Sequence, residues 1–137
     1  MIVKGATMVS KSAKIEKKKR YFFSGVEVAR GRVSYPELSE YAEIEKFYAE
    51  LSENAFKWFC EIFCKQVEEE YRRNFENKNM AAFRRYDYVL EISIKGESMY
   101  ELLIECNATL GRRGEENISD FCEYDKWDKK DQIILKK

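Results

Sequence analysis

The residues best suited to bind a ligand are four consecutive ones, Gly111, Arg112, Arg113 and Gly114. The two glycines let the backbone approach a ligand closely, and each guanidinium group between them can form paired hydrogen bonds with a carboxylate or a phosphate. The segment is not a phosphate-binding P-loop, because it has no Lys-Ser or Lys-Thr pair and no following helix. The alternative interpretation is a flexible hairpin loop whose arginines are solvated.

Acidic residues follow this segment along the chain. They are Asp120, Glu123, Asp125 and Asp128, on or beside the next predicted strand. These carboxylates could pair with Arg112 and Arg113 or bind a divalent cation. Paired carboxylates also perform general acid-base catalysis, but a sequence alone does not distinguish such a pair from ordinary surface charge.

The chain contains no histidine. This excludes Ser-His-Asp triads, histidine-ligated metal centres and a histidine proton switch near neutral pH. No nucleophile then has a suitable base beside it. We therefore predict that the protein is not an enzyme and that it uses neither a cofactor nor a metal.

The chain has four cysteines, an even number that could form disulfides. They are Cys60, Cys64, Cys106 and Cys122. However, the chain is larger than a disulfide-stapled miniprotein and lacks the apolar stretch of a signal peptide. Cys60 and Cys64 lie one helical turn apart and could share a metal, but this is not the usual spacing of zinc-binding pairs. We predict free thiols in a reducing cytosol, with zinc and redox roles as alternatives.

The charge is balanced overall but not along the chain. Lys and Arg number 25, as do Asp and Glu, yet residues 1–20 hold seven basic groups against one acid, a net of +6 that leaves −6 for the rest. Because the first segment has little apolar surface, we predict a disordered basic tail over residues 1–19 and a single domain over residues 20–137.

Neutral overall charge excludes a generally basic nucleic-acid-binding protein. No stretch approaches the roughly 20 apolar residues of a membrane span, so we expect a cytoplasmic protein with neither nucleic-acid nor membrane partners.

A long helix is predicted over residues 36–75, where apolar residues recur every three or four positions. Its predicted core face comprises Ile44, Phe47, Tyr48, Leu51, Ala55, Trp58, Phe59 and Ile62. A second apolar stripe beside it comprises Phe56, Cys60, Phe63, Val67 and Tyr71. Either the sheet and loops wrap the helix on two sides, or this second stripe binds a protein partner or a second copy. A helix of this length could also break near residues 52–54.

Alternation of apolar and polar residues predicts the strands. They cover two hairpins, over residues 21–30 and 85–108, and two later strands, over residues 118–127 and 133–135. The order of elements predicts an α+β fold, with one long amphipathic helix packed on a mostly antiparallel sheet of about four to six strands.

Several short motifs resemble those of one family. They are Tyr21-Phe22-Phe23-Ser24-Gly25-Val26, Val33-Ser34-Tyr35-Pro36, Phe47-Tyr48 and Trp58 in the helix, Ser119-Asp120, Trp127-Asp128 and Ile133-Ile134-Leu135. Over roughly residues 20–137 the chain resembles small clostridial uncharacterised proteins. These are similar in turn to the domain of unknown function at the extracytoplasmic end of lysozyme-sensing anti-sigma factors and in some peptidoglycan deacetylases. The family's Thr-Gly-Gly-Ala-His-Gly motif aligns with residues 109–114, so that Gly111 and Gly114 match and Arg113 stands at the His position.

The resemblance implies a fold more directly than a function. In the anti-sigma factors the domain binds lysozyme, which implies a protein-binding scaffold. We therefore predict a non-enzymatic protein-interaction or ligand-binding module. Its candidate site comprises Gly111, Arg112, Arg113, Gly114, Asp120 and Trp127. The alternative is an enzyme, or an accessory to one, that acts on cell-wall glycan with Asp120 and Asp128 as the acids.

Overall fold

The computed structural model describes residues 13–78 and 83–135. Within them, six strands form one sheet in sequence order, namely β1 (Lys14–Phe23), β2 (Val26–Pro36), β3 (Tyr86–Glu97), β4 (Glu101–Arg112), β5 (Asn117–Asp128) and β6 (Ile133–Ile134). A helix of 35 residues connects β2 to β3. It consists of α1 (Ala42–Trp58), a π-helical turn (Phe59–Phe63) and α2 (Cys64–Glu76).

The neighbouring strands pair antiparallel except β2 and β3, which run parallel because the helix crosses over between them. This confirms the predicted α+β fold of one long helix on a mostly antiparallel sheet. Among the described residues, no helix combines the length and the apolar character needed to cross a membrane.

The helix covers one face of the sheet, and the apolar alternation of the strands determines which face. Leu90 and Ile92 of β3 and Ile104 of β4 are almost fully buried, and Ile44 and Tyr48 of α1 pack on them. A second cluster joins the later part of the helix to β2 and β3. It contains Val28, Ala29, Phe59, Phe63, Cys64, Val67, Tyr71 and Tyr86. No helix within residues 13–78 and 83–135 covers the opposite face of the sheet, which is called the open face below.

The second apolar stripe of the helix faces the protein's own sheet. Phe63, Val67 and Tyr71 are at most 8% exposed, while Phe56 and Cys60 are half-buried and pack against the core clusters. The prediction that this stripe forms a partner surface is therefore wrong, because β1, β2 and β3 already cover it. The more exposed apolar side chains belong to the predicted core face. These are Phe47, Trp58 and Ile62, at 40, 37 and 49% exposure.

The irregularity in the helix lies at the π-helical turn and not near residues 52–54. In this turn the Cys64 N–H donates to the Phe59 carbonyl, five residues earlier. The wider turn keeps Phe59 and Phe63 on the same side, so that both rings are buried and stack with centroids 5.8 Å apart. The helix therefore continues through residues 52–54 and adjusts its winding where two large rings must face the sheet.

The basic segment before Tyr21 belongs to the sheet. Residues 14–19 of β1 pair with residues 31–36 of β2, so the prediction of a disordered tail is wrong over these six positions. Residues 1–12 lie outside the described residues. A strand at the edge of a sheet can keep its lysines in water while its backbone pairs with one neighbour, and its order therefore does not require apolar side chains.

Candidate functional site

The predicted glycine loop is the tight end of the β4–β5 hairpin. β4 continues through Arg112, and residues 113–116 turn the chain into β5. Gly111 is buried opposite Asn117, where a Cβ atom would lie 2.8 Å from Asn117 Oδ1. Gly114 has a φ of +79°, which glycine adopts without strain. Both glycines are thus required by the geometry of the hairpin.

Arg112 is engaged inside the protein. Its guanidinium lies 5.1 Å from the centroid of the Tyr86 ring, and its Nε donates to the Tyr86 hydroxyl at 3.0 Å. Its Nη2 also pairs with Glu70 of α2 at 3.3 Å. Arg113 is exposed at the turn, and its backbone N–H donates to the Arg85 carbonyl at 2.8 Å. Arg112 therefore fastens the helix to the sheet, and the two arginines do not act together as a predicted ligand-binding pair.

Trp127 is a core residue and not a surface for a ligand. It is 4% exposed, and its indole N–H donates to the Tyr48 hydroxyl at 2.7 Å. That hydroxyl in turn donates to Asp125 Oδ2 at 2.7 Å. Burial and the bond to Asp125 raise the pKa of Tyr48, so it remains a donor at neutral pH. The assignment of Trp127 to the binding site is wrong, because the helix covers it.

Asp120 and Asp128 are too far apart to act as a catalytic pair. They lie eight positions apart on β5, which at roughly 3.3 Å per residue separates them by about 26 Å. The carboxyl groups of glycosidases lie within about 10 Å of each other. Asp120 accepts a hydrogen bond from Asn117, and Asp128 accepts one from the Asp131 N–H. The glycan-cleaving alternative thus loses its proposed acids.

The four cysteines are free and are spread over the fold. Cys64 and Cys106 are buried on the helix-covered side of the sheet, whereas Cys122 is exposed on the open face. Burial raises the pKa of the Cys64 thiol to about 12 and that of Cys106 to about 11, which favours protonated thiols. Across the described residues, no group of three or more Cys, Asp or Glu side chains could hold a metal ion.

The outer edge of β5 is the candidate interaction site. β5 pairs with β4 along nearly its whole length, but β6 pairs with it only at Trp127 and Asp128. One further bond runs from the Leu135 N–H to the Lys126 carbonyl, at 2.8 Å. In the part of the chain that the structure describes, no strand covers residues 117–125 on this side. An open edge of this kind is a template for a strand from another protein.

The bond to Lys126 shows which backbone groups face the open edge. In an antiparallel strand the N–H and C=O of one residue point to the same side, and the side alternates along the chain. Because Lys126 points towards β6, Asp120, Cys122 and Tyr124 direct their N–H and C=O groups away from β4. The register shift between β4 and β5 lies before Asp120, so it does not affect this alternation. Sequence reasoning missed this edge, since the strand order was not known.

The side chains along this edge are apolar and acidic. Phe121 is 50% exposed and lines an open groove of about 410 Å³ between α1 and β5, together with Phe47 and Leu51. Residues 117–125 contain three acids and no basic residue. They are Asp120, Glu123 and Asp125. The groove on the helix side therefore combines apolar side chains with the carboxylates of Glu123 and Asp125, and Asp120 adds negative charge on the open face.

A second charged region lies on the open face, where β1 and β2 meet β3. Arg20 is the cross-strand partner of Arg30, and Lys18 is that of Arg32. Together with Arg85 these side chains line a shallow open cavity of about 590 Å³. This cationic cluster, defined by Lys18, Arg20, Arg30, Arg32 and Arg85, contradicts the simple division into a basic tail and an acidic domain, because β1 brings the basic residues into the sheet.

Glu27 sits at the centre of three of these cations. Its carboxylate oxygens lie 2.6 Å from Arg20 Nε, 2.8 Å from Arg30 Nη2 and 3.2 Å from Arg85 Nη1. Hydrogen bonds from Arg30 and then Arg20 lower the pKa of Glu27 to about 2. Glu27 therefore stays ionised far into the acid range.

This shift predicts how stability depends on pH. The pKa of Glu27 is lower in the folded chain than its ordinary 4.5. The contribution of Glu27 to the free energy of unfolding is therefore complete above about pH 4.5 and is lost as the pH falls towards 2. We expect Glu27→Gln to lower the free energy of unfolding at pH 7 and to flatten its decline between pH 4.5 and pH 2. Urea denaturation across this range measures both effects. Glu61→Gln, at an exposed helix position, is the control, and identical profiles for the two variants would contradict the assignment.

Comparison with solved structures finds proteins of the same fold. The crystal structure of a DUF3298 family member from Bacteroides fragilis has a TM-score of 0.63 at 14% identity, over 90% of this chain and 58% of that one. A DUF3298 family protein from Pseudomonas aeruginosa has a TM-score of 0.52 at 10% identity, over 90% of this chain and 55% of that one. No protein-family model and no curated protein matches the chain.

At these identities the likeness shows the fold alone. The chain spans less than 60% of the length of either neighbour. Both neighbours belong to the DUF3298 family, and what they share with this chain is the fold. The link to clostridial proteins, anti-sigma factors and deacetylases stays a prediction.

Proposed function

We propose that this chain is a non-enzymatic protein-interaction module that binds an extended segment of a partner as an additional strand at β5. The uncovered edge of residues 117–125 carries this proposal. The opposite edge of the sheet, β1, carries four lysines, a common protection against unwanted strand pairing. Residues 117–125 carry no lysine. The β5 edge therefore lacks the lysines that protect the β1 edge from strand addition.

The edge also supports a particular chemistry for the partner segment. Main-chain groups of Asp120, Cys122 and Tyr124 supply hydrogen bonds to the partner strand. Each such bond stabilises the pairing by a net free energy of about 0.5–1.5 kcal/mol. Side chains supply specificity in this mode of recognition. Phe121 favours an apolar residue on the helix side, where Glu123 and Asp125 line the same groove and favour lysine or arginine, and Asp120 adds negative charge on the open face. The expected partner segment is extended and combines basic with apolar residues.

A second copy of β5 fits this edge poorly. Antiparallel self-pairing about Cys122 places Asp120, Glu123 and Asp125 of one copy opposite Tyr124, Phe121 and Ser119 of the other. It gathers six carboxylates and no cation along one short pair of strands, and the repulsion between them opposes the pairing. A basic segment of another protein avoids this repulsion. We therefore favour a different protein as the partner.

The sequence resemblance supports the same class of function. The domain in lysozyme-sensing anti-sigma factors binds a protein, and strand addition is a form of protein recognition. The exposed Arg113 and Gly114 lie at the turn beside Asn117, at one end of the proposed edge. They can contact the end of a bound segment. A cytoplasmic location without nucleic-acid or membrane partners stays a prediction.

Cys122→Pro tests the proposal by removing one outward N–H from the middle of the edge. Because this N–H points away from β4, the substitution leaves the β4–β5 hydrogen bonds intact, and an edge strand tolerates proline in this orientation. The probe is a fluorescent ten-residue peptide of alternating lysine and valine. We expect it to bind wild type and Cys122→Ala alike, and Cys122→Pro about tenfold more weakly, as measured by fluorescence anisotropy.

The matched control Cys122→Ala removes the same thiol but keeps the N–H. A peptide of alternating glutamate and valine tests the charge preference and should bind wild type much more weakly than the lysine peptide. Thermal melts followed by circular dichroism establish that each variant is folded. Equal binding by the proline and alanine variants, or no binding of the lysine peptide to wild type, would refute strand addition at this edge.

A further inference from the structure

We propose that the cationic cluster on the open face binds a small anion with two or more phosphate groups. This site goes beyond the proposed function, because β1, β2 and β3 form it and β4 separates it from the β5 edge. None of its five cations lines the groove beside Phe121. The protein would thus carry two separate sites on one sheet.

The cluster contains like charges that directly face each other. Arg20 is paired with Arg30 across β1 and β2, and Lys18 is paired with Arg32 two positions further along. Like charges opposite each other destabilise an antiparallel pair. Local features that oppose the stability of a fold are expected where a protein has a function to perform. Two such pairs side by side are therefore evidence for an anion site.

The carboxylates near the cluster do not balance its charge. Glu27 is shared by Arg20, Arg30 and Arg85, as described above. Glu16 lies 3.2 Å from Arg32 and 3.6 Å from Lys18, and Asp87 lies 2.9 Å from Arg85. Within the described residues, five cations thus share three carboxylates, which leaves two positive charges in excess.

The cluster is both open to solvent and held in position. The side chains of Lys18, Arg20, Arg30 and Arg32 are between 38 and 69% exposed. Arg85 is 16% exposed and is fixed by Glu27 and Asp87. A ligand can therefore reach the four outer cations, while Glu27 restricts the geometry of Arg20 and Arg30 and Glu16 restricts that of Lys18 and Arg32.

The spacing of the cations favours phosphates over a single anionic group. The two like-charge pairs lie two positions apart along the strands, about 6.6 Å at 3.3 Å per residue. One compact anion can neutralise one pair, whereas a compound with several phosphates can reach both. Guanidinium groups form paired hydrogen bonds with phosphate oxygens. Three of the four outer cations are arginines.

The extent of the cluster favours a short polyphosphate over a nucleic-acid strand. The open face continues from β3 to β4 and β5, where Glu105 and Asp120 project on the same side as the cations. These carboxylates would repel a long polyanion that crossed the sheet. The site is therefore matched to an anion that stays within β1, β2 and β3.

Tripolyphosphate and inorganic phosphate are the probes for this site, with isothermal titration calorimetry as the measurement. We expect wild type to bind tripolyphosphate at least about tenfold more tightly than inorganic phosphate, because only the longer anion reaches both like-charge pairs. The double variant Arg30→Gln with Arg32→Gln should bind tripolyphosphate about tenfold more weakly than wild type. Lys57→Gln with Lys65→Gln removes the same charge at exposed helix positions and should bind like wild type.

The folded state of the arginine variant can be checked independently. Its substitutions relieve two like-charge pairs but also remove the ion pairs of Arg30 with Glu27 and of Arg32 with Glu16, so a cooperative thermal melt without anion must first show that the variant is folded. Tripolyphosphate should raise the melting temperature of wild type and of the lysine variant but not that of the arginine variant. The Cys122→Pro variant should retain tripolyphosphate binding, which separates this proposal from strand addition.

Three results would overturn the proposal. The first is equal tripolyphosphate binding by the arginine and lysine variants. The second is the absence of wild-type binding at about 1 mM tripolyphosphate. The third is tighter binding of a ten-nucleotide single-stranded DNA than of tripolyphosphate, which would assign the cluster to nucleic acid.

Discussion

Phe59→Ala is expected to lower the free energy of unfolding by about 3–5 kcal/mol, the usual cost of truncating a fully buried phenylalanine. Phe59 has no exposed surface, and its ring stacks on Tyr88 with centroids 5.7 Å apart and planes tilted by 12°. It lies in the π-helical turn and holds the centre of the helix on the sheet. Urea denaturation followed by circular dichroism gives the change in stability.

The same ring explains why position 31 is glycine. A Cβ atom at Gly31 would lie 2.6 Å from the Phe59 ring, closer than carbon atoms can approach. Gly31→Ala should therefore destabilise the protein by about 1–3 kcal/mol through overpacking. In the double variant Gly31→Ala with Phe59→Leu, the smaller side chain makes room, and the total cost should be less than the sum of the single costs.

Gly96→Ala is the matched control for the contact between β2 and the helix. A Cβ atom at Gly96 would lie 3.6 Å from the nearest atom of Leu103, an ordinary van der Waals distance. The substitution should thus change stability much less than Gly31→Ala. Equal losses at Gly31 and Gly96, or strict additivity of Gly31→Ala and Phe59→Leu, would show that the ring does not limit the space above β2.

Tyr48→Phe is expected to lower the free energy of unfolding by about 1–3 kcal/mol, the cost of leaving a buried polar group without its partner. The hydroxyl accepts the indole N–H of Trp127 and donates to Asp125, both at 2.7 Å. Phenylalanine keeps the ring but removes both bonds. Because Trp127 is 4% exposed, water cannot readily replace the lost acceptor. Urea denaturation and the tryptophan emission spectrum provide the measurement.

Tyr100→Phe is the control for this substitution. Tyr100 is 72% exposed, so loss of its hydroxyl should leave stability almost unchanged. If Tyr48→Phe and Tyr100→Phe have the same small effect, the buried hydrogen bonds do not hold β5 to the helix. The comparison also bears on the proposed edge, since Asp125 lies at the end of residues 117–125.

The sequence predicted the elements well where the pattern of side chains is local. Alternation along β3 correctly places Leu90 and Ile92 on the buried face, and the spacing in the helix correctly predicts that Ile44 and Tyr48 face the core. Such patterns work because the geometry of a strand or a helix fixes the side of each residue relative to its near neighbours. They fail for residues 14–19, where pairing with β2 orders a polar strand.

The candidate site could be predicted only in part. Gly111 and Gly114 do belong to a turn, but Arg112 is bound to Glu70 and Tyr86, which are distant in sequence. A tryptophan such as Trp127 can belong equally to a binding surface or to a hydrophobic core, so its residue type does not distinguish the two. Its partner Tyr48 lies in the crossover helix, 79 positions earlier in the chain. Without the tertiary contacts, neither residue could be assigned correctly.

By itself the sequence determined that the chain forms a long helix and several alternating strands, and that histidine chemistry is absent. These properties depend on composition and on neighbours within a few residues. Only the tertiary structure decided which strand lies at an edge and which charges meet. The strand order leaves residues 117–125 uncovered, and the register of β1 with β2 places Arg20 opposite Arg30. Both follow from pairing between segments that are separated in the chain, which no local pattern of side chains specifies.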